Sequence, residues 1–233
     1  MDESGTNATG GLGKLSIVGT PIGNMGDITF RALWNLKECD CIYAEDTRVT
    51  LKLLNHYGLR KKVLRLDAAT EAKKAEEIVG RLENGEHVVY VSDAGTPGIS
   101  DPGARLVAHV RDALPSATID AIPGPSALTA ALSIAGISAD KFLFLGFLPH
   151  KKGRHTALAQ IHDSEVPVVL YESPHRILKL LSELAAHNIP RVALARELTK
   201  MHEEVLSGDP IELAETLKNK GAVRGEFVVI ITR

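Results

Sequence analysis

Val88-Val89-Tyr90-Val91-Ser92-Asp93-Ala94-Gly95-Thr96-Pro97-Gly98-Ile99-Ser100-Asp101-Pro102-Gly103 is the stretch on which the fold turns. An apolar, β-branched run that breaks abruptly into glycines, prolines and two aspartates reads as a buried strand ending in a shaped loop. In an open α/β sheet, ligands bind outside the carboxyl ends of the strands, so such a loop is the place to look for a site. Two other junctions repeat the pattern. Leu15-Ser16-Ile17-Val18 runs into Gly19-Thr20-Pro21-Ile22-Gly23-Asn24, and Thr118-Ile119-Asp120-Ala121-Ile122 runs into Pro123-Gly124-Pro125-Ser126. One such loop would be a sharp turn and nothing more. Three of one kind predict a shared pocket.

None of the three loops carries a Lys or Arg, and the central one carries Asp93 and Asp101. A polyphosphate would be repelled there. Neither the P-loop pattern G-x-x-x-x-G-K-[ST] nor a strand followed by G-x-G-x-x-G occurs, which argues against ATP and NAD. Close-packed glycine backbone with nearby carboxylates suits a neutral or cationic ligand bearing ribose hydroxyls and a purine edge. S-adenosylmethionine, with its sulfonium, fits that description.

The chain has 233 residues, 44 % hydrophobic and 24 % charged, as expected of a globular protein large enough for one sizeable domain or two. Cys39 and Cys41, the only cysteines, give neither a disulfide framework nor a zinc cluster, so no metal is expected and a reducing, cytoplasmic compartment is. Residues 1–13, rich in Gly and Thr, are expected to form a mobile tail and not a signal peptide. No apolar run reaches the roughly 18–20 residues that span a bilayer, so no membrane partner is expected. A net charge of −2 does not advertise nucleic-acid binding. Arg60-Lys61-Lys62 reads as solvated surface. The denser His150-Lys151-Lys152-Gly153-Arg154-His155 is open between solvated surface and RNA contact.

Strand and helix signals alternate strictly through the first half, predicting a mostly parallel sheet with right-handed crossovers. Asp27 is expected to cap a helix over 28–37, Thr47 the next helix, and a third is expected over 68–83. The helix expected over 126–135 is apolar nearly all round, which predicts burial between two layers or domains. In the second half a strand is expected over 142–145, and short connections near the end predict a mixed sheet. The domains are expected at 14–122 and 123–233.

Seven segments in order carry a resemblance. They are Gly19-Thr20-Pro21-Ile22-Gly23-Asn24 with Asp27-Ile28-Thr29, Ala44-Glu45-Asp46-Thr47-Arg48, Ser92-Asp93-Ala94-Gly95-Thr96-Pro97, Ile122-Pro123-Gly124-Pro125-Ser126-Ala127, Phe144-Leu145-Gly146-Phe147-Leu148-Pro149, Tyr171-Glu172-Ser173-Pro174-His175-Arg176 and Ala195-Arg196-Glu197-Leu198-Thr199-Lys200. Together they resemble the ribosomal RNA small-subunit methyltransferase I family of the tetrapyrrole (corrin and porphyrin) methylase superfamily. The resemblance implies two α/β domains with S-adenosylmethionine in a cleft between them, and usually a homodimer. The implied reaction is methylation of a cytidine ribose 2′-hydroxyl in small-subunit ribosomal RNA, free or in a ribosomal particle. One segment departs from the family: Leu66-Asp67-Ala68-Ala69-Thr70-Glu71-Ala72-Lys73-Lys74 stands where a His- and Asn-containing stretch is usual.

The cofactor-binding residues so implied are Gly19, Pro21, Asp93, Gly95, Thr96, Ser126, Ala127, Tyr171 and Gly225. A ribose hydroxyl is a poor nucleophile while protonated, and a base or a lysine-assisted network would help it. Glu45, Asp46, Glu172, Glu197 and Lys200 stand at strand ends. Of these, Glu172 and Glu197 read as ion-pair partners of nearby arginines, while Glu45 and Lys200, with Arg48, are the catalytic candidates. Arg48 and Lys200 are expected on the acceptor side, since a cationic cofactor gains nothing from adjacent cations. Lys151, Lys152, Arg154 and Arg196 are expected to contact RNA. The alternatives are methylation of a tetrapyrrole or a protein side chain, and a non-catalytic RNA-binding module.

Overall fold

A computed structural model describes residues 11–232. They divide into two compact units. The first runs to Pro21 and resumes over Met25–Pro125, and the second comprises Ile22–Asn24 and the chain from Ser126 onward. The division thus falls after Pro125, not after Ile122. Residues 1–10 of the expected tail lie outside the described residues. Gly13, assigned to that tail, is buried and donates its backbone N–H to Leu82 O at 2.7 Å.

The first unit runs β1 (Lys14–Val18), α1 (Phe30–Glu38), β2 (Cys41–Ala44), α2 (Thr47–His56), β3 (Val63–Arg65), α3 (Glu71–Glu83), β4 (His87–Val91), α4 (Ala104–Ala113) and β5 (Thr118–Ile122). The sheet order is β3-β2-β4-β1-β5, and every pairing is parallel. Both faces are covered, which is why β2 and β4 are apolar almost without interruption. Tyr43 and Tyr90 point into one core with Ile78 and Leu106, while Ile42 and Val89 point into the other with Leu36 and Leu54.

Local hydrogen bonding corrects three helix starts. Thr29, not Asp27, caps α1, its hydroxyl accepting from Ala32 N at 3.1 Å. Asp46, not Thr47, caps α2, accepting from Arg48 N at 2.8 Å. The third helix begins at Glu71 instead of residue 68. The Asp67 carboxylate accepts from Ala69 N at 3.1 Å, Thr70 N at 2.9 Å and the Thr70 hydroxyl at 2.8 Å, and this side-chain turn competes with helix.

The second unit runs α5 (Ala127–Ile134), β6 (Leu143–Phe147), α6 (Arg154–Asp163), β7 (Val168–Glu172), α7 (Ile177–Ala186), β8 (Arg191–Arg196), β9 (Glu204–Gly208), α8 (Pro210–Asn219) and β10 (Phe227–Thr232). Its order is β6-β7-β10-β8-β9, with β6 and β7 parallel and the other pairs antiparallel, a mixed sheet. β6 carries a register shift between Phe144 and Gly146 and ends at Phe147, past the expected end of the strand. The expectation for α5 fails: only Leu128 and Ala131 are buried, and Ile134 is 46 % exposed. A short helix rich in Ala and Leu can bury one face against its sheet, here with Val228 and Ile230 of β10, and leave Thr129, Ser133 and Ile134 to solvent.

Candidate functional site

In the first unit, the three loops that follow β1, β4 and β5 leave neighbouring strands and are tied to one another pairwise. Thr20 and Gly95 exchange two backbone hydrogen bonds, at 2.9 and 3.1 Å. The Thr96 hydroxyl donates to Pro125 O at 3.2 Å. Gly19 lies against Gly124 so closely that a Cβ on Gly19 would stand 2.8 Å from Gly124 N and Cα, an approach only paired glycines permit. Gly95 has φ +78°, the left-handed region that the turn after β4 requires. Gly19, Gly95 and Thr96, expected to share one pocket, are therefore brought together in a single cradle of backbone, with Asp93 on the same β4 loop.

Carboxylates rim this cradle. Asp93 Oδ1 accepts from Asp46 N at 2.8 Å, joining the β4 loop to the end of β2. Burial raises the Glu45 carboxyl above its ordinary range, and Asp93, Asp101 and Asp67 add to the effect. Burial likewise pushes Asp101 up to about 6, with Asp93 contributing and a hydrogen bond from Ser92 opposing. Arg48 does not neutralise this set. Its Nε lies 3.0 and 3.1 Å from the two Asp46 oxygens and its Nη2 2.5 Å from one of them, which holds Asp46 down to about 2. The Arg48 side chain is otherwise 85 % exposed. Arg65 pairs with Asp67 at 2.7 Å, so it is Glu45, Asp93 and Asp101 that leave this edge favouring a cation.

The remaining candidates belong to the second unit. Ser126 is the N-cap of α5 without a side-chain cap bond, and Ala127 and Tyr171 pack with Leu128, Leu198 and Val228. The Tyr171 ring meets Phe144 edge-on at 5.0 Å and 70° and Phe147 in a tilted contact at 5.7 Å and 60°, and the two contacts fix its plane. Gly225 has φ +87°, and a Cβ there would run into the Glu197 side chain. Beyond β8 the backbone is strained at two residues that are not glycine, Glu197 at φ +51° and Thr199 at φ +65°.

Lys200 closes this turn, its Nζ 2.9 Å from Glu197 Oε1 and 2.9 Å from Glu226 Oε2. Burial pulls the ammonium down, but the bonds to Glu197 and Glu226 outweigh it and leave Lys200 above its ordinary value. Glu197 thus has Lys200 as its partner, whereas Arg196 reaches Glu204 at 3.3 Å and Arg224 O at 3.3 Å. Glu172 pairs with Arg176 at 3.3 Å, as expected.

One RNA-contact expectation is overturned. Arg154 is 7 % exposed, and its guanidinium is taken up by Glu183, at 2.5 to 3.0 Å, and by Pro149 O at 3.1 Å. A composition rich in cations does not reveal which of them finds a carboxylate. Lys151 and Lys152 remain exposed. Sequence reasoning also missed Glu71, a buried carboxylate whose Oε1 accepts from Gly103 N at 3.0 Å and Leu106 N at 3.1 Å. No local signal marks a bond formed across thirty residues of chain.

Residues 14–214 match the family of tetrapyrrole (corrin/porphyrin) methylases. The chain belongs to this family of S-adenosylmethionine-dependent methyltransferases. Its relatives include the ribosomal RNA small subunit methyltransferase I of Thermotoga maritima, 43 % identical over 95 % of this chain and 99 % of that protein. The enzyme of the same name from Escherichia coli O157:H7 is 43 % identical over 97 % of this chain and 79 % of its own length. Among solved structures, a diphthine synthase superposes with a TM-score of 0.74 at 15 % identity, covering 94 % of this chain and 89 % of that one. A uroporphyrin-III C-methyltransferase from Thermus thermophilus in complex with S-adenosylhomocysteine gives 0.65 at 17 %, covering 95 % and 98 %. At these identities the structures are shared fold. Among the described residues no helix is long and apolar enough to cross a membrane.

Proposed function

We propose that the protein transfers a methyl group from S-adenosylmethionine to the ribose 2′-hydroxyl of a cytidine in small-subunit ribosomal RNA. The observation that carries the substrate class is the 43 % identity, over nearly the whole of both chains, to a protein named ribosomal RNA small subunit methyltransferase I. The cradle of the first unit supports the cofactor's place. Gly19, Pro21, Gly95 and Thr96 would present backbone and a hydroxyl to a nucleoside, and Asp93, Asp101 and Glu45 would favour a positive charge. When bound, S-adenosylmethionine supplies an electrophilic methyl on a sulfonium.

The chain's own groups would divide the remaining work. Ser126, Ala127, Tyr171 and Gly225 are carried as further cofactor-binding residues in the same reading. Glu45, whose carboxyl is raised above its ordinary range by burial and then by Asp93, Asp101 and Asp67, is the candidate to exchange a proton with the acceptor hydroxyl. Arg48, solvent-facing, and Lys200, with Arg196 close by in sequence, would meet the anionic acceptor, together with Lys151 and Lys152. A homodimer acting in the cytoplasm, on free RNA or on a ribosomal particle, belongs to the same reading.

The deciding experiment incubates labelled S-adenosylmethionine with small-subunit RNA and with particles lacking the modification, then maps the labelled nucleoside. Label in 2′-O-methylcytidine is the expected result. Label only in a tetrapyrrole or a protein side chain, supplied in parallel, would replace the substrate while leaving the enzyme class intact.

A further inference from the structure

We propose that Glu71 is a positioning residue for the cofactor, acting through the loop that joins β4 to α4. The inference rests on the reading that S-adenosylmethionine binds at that loop. It starts from an accounting of backbone donors. The first N–H groups of a helix have no partner inside it, and a side chain at the N-cap ordinarily supplies one. The N-cap of α4 is Gly103, which has no side chain to offer and stands at φ +128°. Glu71 supplies what Gly103 lacks, from the first residue of a different helix. One oxygen of its carboxylate, in a residue only 5 % exposed, accepts from both Gly103 N and Leu106 N, the donors a local cap would serve. Its negative charge also lies at the positive end of α4.

The consequence reaches Asp101. The loop from Ser92 to Gly103 carries four residues at positive φ, Gly95, Gly98, Ser100 and Gly103, so its own sequence leaves it many conformations. Its beginning is fixed by the Thr20 to Gly95 pairing. Its end is fixed by Glu71 and by Tyr90, whose hydroxyl donates to Pro102 O at 3.0 Å and whose ring leaves room at Gly103 for no Cβ. Asp101 lies two residues before the atom that Glu71 holds. Without that anchor the second half of the loop samples other conformations, and the ligand binds only the fraction that is correctly arranged.

The test measures S-adenosylmethionine affinity by calorimetry, turnover on small-subunit particles, and thermal midpoint, in the full chain and in Glu71→Ala, Glu71→Asp, Glu71→Gln and Asp93→Lys. Glu71→Ala is expected to weaken cofactor binding about tenfold, with turnover at saturating cofactor within about twofold of the parent. Glu71→Gln, which keeps an accepting oxygen, should restore affinity to within about twofold. Glu71→Asp, which withdraws the oxygen by one methylene, should fall between, and it decides the matter if the alanine variant does not fold. A merely structural residue would lower the midpoint and leave affinity unchanged. Unchanged affinity in Glu71→Ala or Glu71→Asp, alongside lost binding in Asp93→Lys, overturns the role of Glu71 alone. Unchanged affinity in Asp93→Lys overturns the location of the cofactor, and the role of Glu71 with it.

Discussion

Gly19 and Gly124 are in backbone contact across the ends of two adjacent parallel strands, each occupying the space a Cβ of the other would need. Gly19→Ala must push the loops after β1 and β5 apart, at a cost of about 1–3 kcal/mol, the usual range for overpacking. S-adenosylmethionine affinity is expected to fall while circular dichroism reports a native fold. Unaltered affinity in a folded Gly19→Ala protein would remove this contact from the binding site.

Asp93 offers a second lever, because its carboxylate both accepts from Asp46 N and contributes negative charge to the rim. Asp93→Asn keeps the acceptor and loses the charge, whereas Asp93→Lys reverses it. Cofactor affinity should fall in that order, with Asp93→Lys losing most. An Asp93→Asn protein that keeps the parent's affinity would assign the effect to the hydrogen bond instead of the charge.

The protonation of Asp101 sets a pH dependence. Its carboxyl is raised to about 6 by burial, so the stability linked to this group is fully present below the ordinary carboxylate range and is lost as pH rises through about 6. Cofactor affinity should move the opposite way, strengthening severalfold from pH 5 to pH 7 as the carboxylate forms beside a cationic ligand. Asp101→Asn should flatten both curves. Calorimetry and thermal melts across that range check the pair, and an Asp101→Asn protein that keeps the parent's pH profile contradicts the assignment.

The basic loop before α6 separates by role. Arg154→Ala breaks a nearly buried ion pair and should cost about 3 kcal/mol of stability. Lys151→Ala with Lys152→Ala should leave stability within about 0.5 kcal/mol. The double variant should nevertheless reduce the slope of log RNA affinity against log salt by about 1.4, at roughly 0.7 per single-strand phosphate contact. An unchanged slope returns both lysines to ordinary solvated surface.

Lys200 holds two carboxylates at a turn whose backbone is already strained. Lys200→Met should cost about 1 kcal/mol and depress methyl transfer at saturating cofactor, with cofactor affinity within about twofold. A loss of cofactor binding as large as the loss of turnover would put Lys200 on the cofactor's side.

The strand ends were legible in the sequence because a doubly covered parallel sheet writes each strand as an apolar run, and the glycines and prolines that stop it are unambiguous. The helix starts were less so. Asp27 and Thr29, or Asp46 and Thr47, are equally good caps by residue type, and only the three-dimensional path of the chain chooses between them. The exposed side of α5 escaped notice because Ala and Leu look alike whether a helix is buried on one face or on all. Glu71 and Arg154 were hidden for a common reason: each has its partner some thirty residues away, where neither periodicity nor composition reaches.

The place of β1 in the order β3-β2-β4-β1-β5 bears on how the protein is made. Among the described strands β1 pairs with β4 and β5, so during synthesis Lys14–Val18 waits for these partners until His87–Val91 and then Thr118–Ile122 have been made. Contacts between segments so far apart form slowly, and an apolar strand without neighbours is an invitation to the wrong partner. A nascent chain released before Thr118 would carry that exposed edge, while one continued past Pro125 closes the sheet and, through Gly19 and Gly124, the cradle in the same event. For this unit, completing the fold and completing the cradle of loops are one step of biosynthesis.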